Sequence, residues 1–93
     1  MNPPLLELAC EVTNQEGIHA RPAARFVRAA RGFECRIDIV KDSQCFSAKS
    51  ILEVLSANLN RGTVFTLRAE GRDAREAVEV LGELLRSFDH DEH

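Results

Sequence analysis

The sequence predicts an α+β fold in which a four-stranded antiparallel sheet carries three helices on one face, in the order βαββαβα. Three observations lead there. Short runs of alternating apolar and polar residues occur four times, the signature of strands with one wet face. Stripes at helical spacing occur in two long stretches and one short one, interleaved with the strands. Turn chemistry separates these elements, with no linker, repeat or low-complexity segment between them. At 93 residues, 44% apolar and 29% charged, the chain has the balance of one globular domain with a single core and not of a disordered segment.

Residues 5–13 open as a half-buried strand, with Leu6, Leu8, Cys10 and Val12 on one face and Glu7, Glu11 and Thr13 on the other. Asn14-Gln15-Glu16-Gly17 is a turn. From Ala20 to Arg31 the spacing predicts a helix whose inner face is Ala20, Ala23, Ala24, Val27 and Ala30. Arg21, Arg25 and Arg28 share the opposite stripe, and Gly32 stops the helix. Cys35, Ile37 and Ile39 alternate with Arg36 and Asp38 as a second strand. Asp42-Ser43 turns tightly into a third, Gln44 to Lys49, with Phe46 and Ala48 inward. Ser50 has the chemistry of an N-cap for a short helix that begins Ile51-Leu52-Glu53-Val54-Leu55 and ends near Asn58. Asn60-Arg61-Gly62 leads into strand four, Thr63 to Ala69, with Phe65 and Leu67 as core candidates. Gly71 and Asp73 open the last helix, where Asp73 and Glu76 have the spacing of a capping box in acidic form. Its apolar stripe is Ala74, Ala77, Val78, Leu81, Leu84 and Leu85. The core is expected over about residues 5–87, with 88–93 as a frayed polar tail.

A chain this short has little room for an enclosed cavity, so a surface site is expected in place of a large multi-substrate pocket. No apolar run nears the roughly 18 residues of a membrane span. The opening MNPPLLELACE has no basic stretch ahead of an apolar core, so no secretory signal is read there and a cytoplasmic setting is expected. The net charge of −3 is unevenly distributed: residues 18–41 carry six bases against two acids, and residues 70–93 carry eight acids against three bases. A basic end on an acidic molecule fits an acidic protein partner or a phosphate group and is a poor footprint for nucleic acid. An RNA-reading sheet is excluded too, because strands one and three lack exposed aromatic residues for base stacking. Cys10, Cys35 and Cys45 are odd in number, lack CxxC spacing and are expected as buried free thiols. His90 and His93 lie among acids but read as part of a solvated terminus, so neither a metal nor another cofactor is expected.

The chemistry concentrates in Gly17-Ile18-His19-Ala20-Arg21-Pro22. Gly17 allows a sharp turn, His19 stands at the junction of turn and helix, and Pro22 suits a first helical turn, where N–H groups lack partners anyway. The positive end of the helix binds anions and disfavours imidazolium, leaving His19 as a neutral nucleophile. Arg21 can add a forked donor to phosphate oxygens. Neutral imidazole, anion cradle and guanidinium together suit a transient phosphohistidine. The alternative is a surface histidine that merely caps the helix. An enzyme of acylphosphatase type would suit the size, but its arginine-plus-asparagine arrangement is not recognisable, and no nearby carboxylate–His pair makes His19 a general base.

The segment GIHARPAARFV resembles the active-site segment of the HPr family, phosphocarrier proteins of the bacterial phosphoenolpyruvate-dependent phosphotransferase system. The similarity continues through Ser47-Ala48-Lys49-Ser50-Ile51-Leu52, Gly62-Thr63-Val64 and Ala69-Glu70-Gly71 into the last helix, over roughly residues 7–87. The resemblance implies an open-faced β-sandwich in which His19 accepts a phosphoryl group from enzyme I on Nδ1 and passes it to a IIA-type acceptor. It implies phosphate contacts from Arg21 and the Ala20 backbone, and a chain that carries phosphate without turning over a substrate by itself. A monomer is expected of a carrier that alternates between partners.

In some members the serine matching Ser50 is phosphorylated by an HPr kinase/phosphorylase. Lys49-Ser50-Ile51 is retained here, while Glu53 and Ser56-Ala57-Asn58 depart from the better-known regulatory versions. A phosphate on Ser50 would sit favourably at a helix N-terminus and is expected to repel acidic partners nearing the His19 face. The expected partner face is Arg21, Arg25 and Arg28 around His19, with Ile51, Leu52 and Leu55 as an apolar patch beside it. A regulatory module of a nitrogen-related phosphotransferase relay, signalling without sugar transport, is the alternative reading.

Overall fold

The computed structural model describes residues 3–89. Strands β1 (Leu5–Glu11), β2 (Arg36–Lys41), β3 (Gln44–Ser47) and β4 (Val64–Glu70) form one sheet in the order β1-β4-β2-β3, with every neighbouring pair antiparallel. Leu8, Leu67, Ile39 and Phe46 stand in one row across it. Helices α1 (Ala20–Arg31), α2 (Ile51–Ser56) and α3 (Ala74–Ser87) cover that face through Phe26 and Val27, Val54, and Ala77 and Leu81. The predicted α+β class, strand count and element order are those observed.

The β2–β3 hairpin closes through Asp42 and Ser43 at φ 51° and 67°, two successive left-handed residues as the strand twist demands. Helix α2 ends on Asn58 at φ 52°, and the Lys41 ammonium donates to the carbonyls of Ala57 and Asn58 at 2.7 and 3.1 Å. At the outer edge of β3, Ser47 is occupied on both sides. Its N–H donates to Glu53 Oε1 at 2.8 Å, and its carbonyl accepts the Ser50 N–H at 3.3 Å.

Several expectations need correcting. Ala20 and Ala24 are exposed, and the inner face of α1 is Ala23, Phe26, Val27 and Ala30. Phe26 supplies the bulk that an alanine stripe lacks. Asp73 makes no capping bond to its own helix; its carboxylate accepts the N–H groups of Glu34 and Cys35, both at 2.9 Å, and so joins the start of α3 to the entry of β2. Strand β3 ends at Ser47, although Ala48 is still buried. Of the cysteines only Cys35 is buried; Cys10 is half-buried and Cys45 is exposed. Cys45 pairs with Val40 on the open face, where Arg68 Nη2 lies 3.3 Å from its sulfur. Phe88, read with the tail, is 1% exposed and belongs to the core; residues 90–93 lie outside the described residues. Asp38 also faces the open side yet is only 6% exposed, because Arg36 and Arg68 cover its carboxylate at 2.9 and 3.5 Å. Among the described residues no buried side-chain nitrogen or oxygen lacks a partner. No helix among them is long and apolar enough to cross a membrane.

Candidate functional site

The turn that delivers His19 is built from backbone contacts. Gly17 adopts φ +77°, and a Cβ there would come within 2.7 Å of the Leu59 carbonyl oxygen, so both the conformation and the space require glycine. The adjacent Ile18 is buried and donates its N–H to that same carbonyl at 2.8 Å. Asn14, 4% exposed, closes the turn from below by donating Nδ2–H to the Gly17 carbonyl at 2.7 Å. Held from both sides, the chain passes into an extended residue, His19, at φ −133° and ψ 173°. Ala20 follows at φ +44°, a left-handed conformation that is strained for a residue with a Cβ.

His19 is the N-cap of α1, is exposed, and makes no side-chain capping bond. The first turn of the helix therefore presents N–H groups that no intrahelical carbonyl satisfies. It contains no acidic residue, while Arg28 and Arg31 sit in the last turn, so the positive end of the dipole is not neutralised by the helix's own side chains. An open depression lined by Glu16, Gly17, His19, Ala20, Arg21 and Arg25 surrounds the imidazole, with Phe88 at its wall. The Arg25 guanidinium lies over the Phe88 ring, 5.4 Å from its centroid. An exposed imidazole thus stands at the helix end that carries unsatisfied N–H groups, with two guanidinium-bearing residues in the lining of a site open to solvent. This geometry suits group transfer between proteins better than chemistry on an enclosed substrate. Among the described residues no cluster of His, Cys, Asp and Glu could hold a metal ion.

Ser50 is the N-cap of α2, and its Oγ accepts the Glu53 N–H at 3.3 Å. The α2 surface carries Leu52, 74% exposed, and Leu55, 40% exposed; Ile51 is half-buried and packs against the core. Helices α1 and α2 run antiparallel. Arg31 Nε at the end of α1 donates to the Lys49 carbonyl just before α2, while Leu59, just after α2, holds Ile18 at the start of α1. His19, Ala20, Arg21 and Arg25 are accordingly gathered around one depression, and Ser50 lies at the other end of the helix pair. Arg28 is exposed farther along α1.

Sequence reasoning missed four contributors: Asn14, the Leu59 carbonyl, Lys41 and Phe88. The Leu59 carbonyl and Lys41 act through contacts between segments that no local pattern reveals, whereas Asn14 acts inside its own turn, three residues from Gly17, where the sequence showed a turn but not this bond. Phe88 did leave a signal, standing four residues after Leu84 and seven after Leu81, on the stripe of α3.

Comparison with known proteins agrees with this geometry. Residues 6–87 match the family model described as the PTS HPr component phosphorylation site. The chain is 41% identical over 81 residues to the phosphocarrier protein HPr of Vibrio cholerae, covering 87% of this chain and 95% of that one. It is 42% identical over 77 residues to the HPr-like protein Crh of Halalkalibacterium halodurans, covering 83% and 92%. The crystal structure of HPr-C-His from Thermoanaerobacter tengcongensis superposes with a TM-score of 0.89 at 40% identity, covering 95% of this chain and 99% of that one.

Proposed function

This chain belongs to the HPr family of phosphotransferase-system phosphocarriers, and from that premise we propose that His19 is its phosphoryl acceptor, loaded by enzyme I and unloaded to IIA-type proteins. One observation carries the assignment: His19 occupies the N-cap of α1, is exposed, and spends neither ring nitrogen on capping the helix. With the ring proton on Nε2, the Nδ1 lone pair attacks phosphorus as the bond from phosphorus to the donor's leaving atom breaks. No proton has to be removed first. The Arg21 guanidinium and the N–H groups of the first turn, the Ala20 backbone included, receive the phosphoryl oxygens in both the loading and the unloading complex. Arg25 and Arg28 on α1, with Leu52 and Leu55 on α2, form the face that acidic partners approach, with Ile51 beneath it. The carrier works as a cytoplasmic monomer and needs no cofactor.

Regulation enters at Ser50 through an ATP-dependent HPr kinase/phosphorylase. Its Oγ already accepts the Glu53 N–H, so a phosphate there stays beside a helix N-terminus and leaves α2 intact.

The decisive experiment incubates the chain with phosphoenolpyruvate and enzyme I and follows intact mass. The expected result is a gain of one acid-labile phosphate that His19→Ala abolishes without loss of fold. A stable phosphate, or one that persists in H19A, would place the acceptor elsewhere.

A further inference from the structure

Alternation along β2 puts Ile37 and Ile39 in the core, and it assigns the next position on that covered face to Lys41. A cation where the strand period calls for an apolar side chain breaks the local rule, and departures of that kind gather at functional sites. Lys41 is half-buried, and its ammonium reaches the end of α2, donating to the carbonyls of Ala57 and Asn58 at 2.7 and 3.1 Å. Helix α2 has no basic residue in its own last turn, so the charge that suits its negative end is supplied by β2.

The next residue is Leu59. The Asn58 carbonyl also accepts the Asn60 N–H at 2.8 Å, so Leu59 is bracketed by bonds to both of its neighbours. Its own carbonyl accepts the Ile18 N–H at 2.8 Å and fills the space behind Gly17, where a Cβ would come within 2.7 Å of it. Movement of that oxygen toward Gly17 meets backbone, and movement away gives up the Ile18 bond. Ile18 is joined directly to His19. The path from ammonium to imidazole therefore runs through Asn58, Leu59 and Ile18, by backbone groups with little freedom of their own.

We propose that Lys41 is a positioning residue for phosphoryl acceptance: its ammonium, by holding the Ala57 and Asn58 carbonyls at the end of α2, fixes the Leu59 carbonyl against which Gly17 and Ile18 seat His19. The inference rests on the carrier reading and adds to it a residue of the sheet that sets where the acceptor stands. The tie acts on the placement of the imidazole, so its loss falls on the transfer step and not on encounter with the donor protein.

The test mixes phosphorylated enzyme I with rising concentrations of this chain in rapid-quench single turnovers, for wild type, K41M, K41R and the core control I37V. In K41M the maximal transfer rate is expected to fall about three- to tenfold, inside the roughly hundredfold that a 1 Å misplacement can cost, with the concentration for half-maximal rate unchanged. K41R, whose guanidinium can donate to the same carbonyls, is expected to recover most of that rate, and I37V to keep it. A maximal rate unaltered in K41M, a loss that K41R does not reverse, or an equal loss in I37V overturns the proposal. Amide hydrogen exchange reads the tie without phosphate: measured against the Leu67 amide of the central sheet, the Ile18 amide is expected to exchange about tenfold faster in K41M. An unchanged ratio overturns the proposal. In isotope-labelled wild type a through-bond coupling between Lys41 Nζ and the Ala57 carbonyl carbon is expected, and its absence overturns the proposal whatever the fate of K41M. Failure of wild type to accept any phosphate would instead overturn the carrier reading, and this inference with it.

Discussion

The Asp73 carboxylate accepts the N–H of Cys35 at 2.9 Å while the Cys35 thiol lies beneath it, and each group alters the other. Bonds from the Glu34 N–H, and then from Cys35, hold Asp73 below the ordinary carboxylate range. Burial, and then Asp73 itself, push the Cys35 thiol up to about 11.

A pH dependence follows with a definite sign. A carboxyl whose folded value is depressed stabilises the protein fully above its unfolded value, near about 4, and loses that contribution as pH falls through the folded value. Asp73→Asn is expected to lower the melting temperature at pH 7 by on the order of 5 °C. The gap to wild type should close on acidification below about pH 4. Thermal melts from pH 7 to 2 check this; a gap that is constant across the series would mean that Asp73 is not the titrating clamp.

The three thiols should react in order of exposure. Iodoacetamide at pH 8 is expected to modify exposed Cys45 first, then half-buried Cys10, whose thiol burial also pushes up, and Cys35 only on unfolding. Peptide mass mapping over time gives the order, and early labelling of Cys35 would contradict it.

Gly17→Ala puts a Cβ 2.7 Å from the Leu59 carbonyl at a left-handed φ of +77°. The expected cost is about 1–3 kcal/mol by chemical denaturation. Phosphoryl acceptance should slow as well, because relief of that clash moves the turn that delivers His19. Unchanged stability and rate would show that the turn tolerates the displacement.

Ser50→Ala removes the N-cap of α2 and should cost about 1 kcal/mol. Loading of His19 by enzyme I is expected to continue, while any ATP-dependent phosphorylation disappears. Denaturation curves and intact mass after each reaction separate the two effects; ATP-dependent phosphate retained in S50A would direct attention to another hydroxyl.

Leu52→Ser alters a side chain that is 74% exposed and should change stability by less than about 0.5 kcal/mol. Affinity for a IIA-type acceptor, measured by titration calorimetry, is expected to fall. Equal affinities would remove α2 from the partner face.

Most of the architecture was legible because it depends on local period. Alternation placed β1, β2 and β4, and Ser50 declared itself as the cap of α2. The position of His19 was legible for a similar reason: glycine, histidine and proline in this order specify the backbone of a turn-to-helix junction, and His19 is the N-cap of α1. The failures lie where tertiary contact overrides local preference. Asp73 has the spacing of a capping residue, yet the two N–H groups of Glu34 and Cys35 claim its carboxylate. Ala20 fits a helical stripe by composition, but the turn forces it to φ +44° and exposes it. Cys45 shows the limit of alternation, which assigns residues to two faces without telling which face is covered.

The antiparallel pairing of α1 with α2 gives the molecule a built-in length scale. Along the helix axes residues 50 and 19 are offset by roughly 9–18 Å, the axial lengths of the six-residue and twelve-residue helices, with the spacing between the helices added to that. Physiological salt screens charge over about 8 Å, so a charge added at Ser50 is largely silent at the imidazole itself. It can be felt only by a body lying along both helices at once. Proteins that touch the His19 tip alone would be indifferent to such a charge, and those with longer footprints would be sorted by it, so the pair of helices would work as a gauge of how far each visitor reaches.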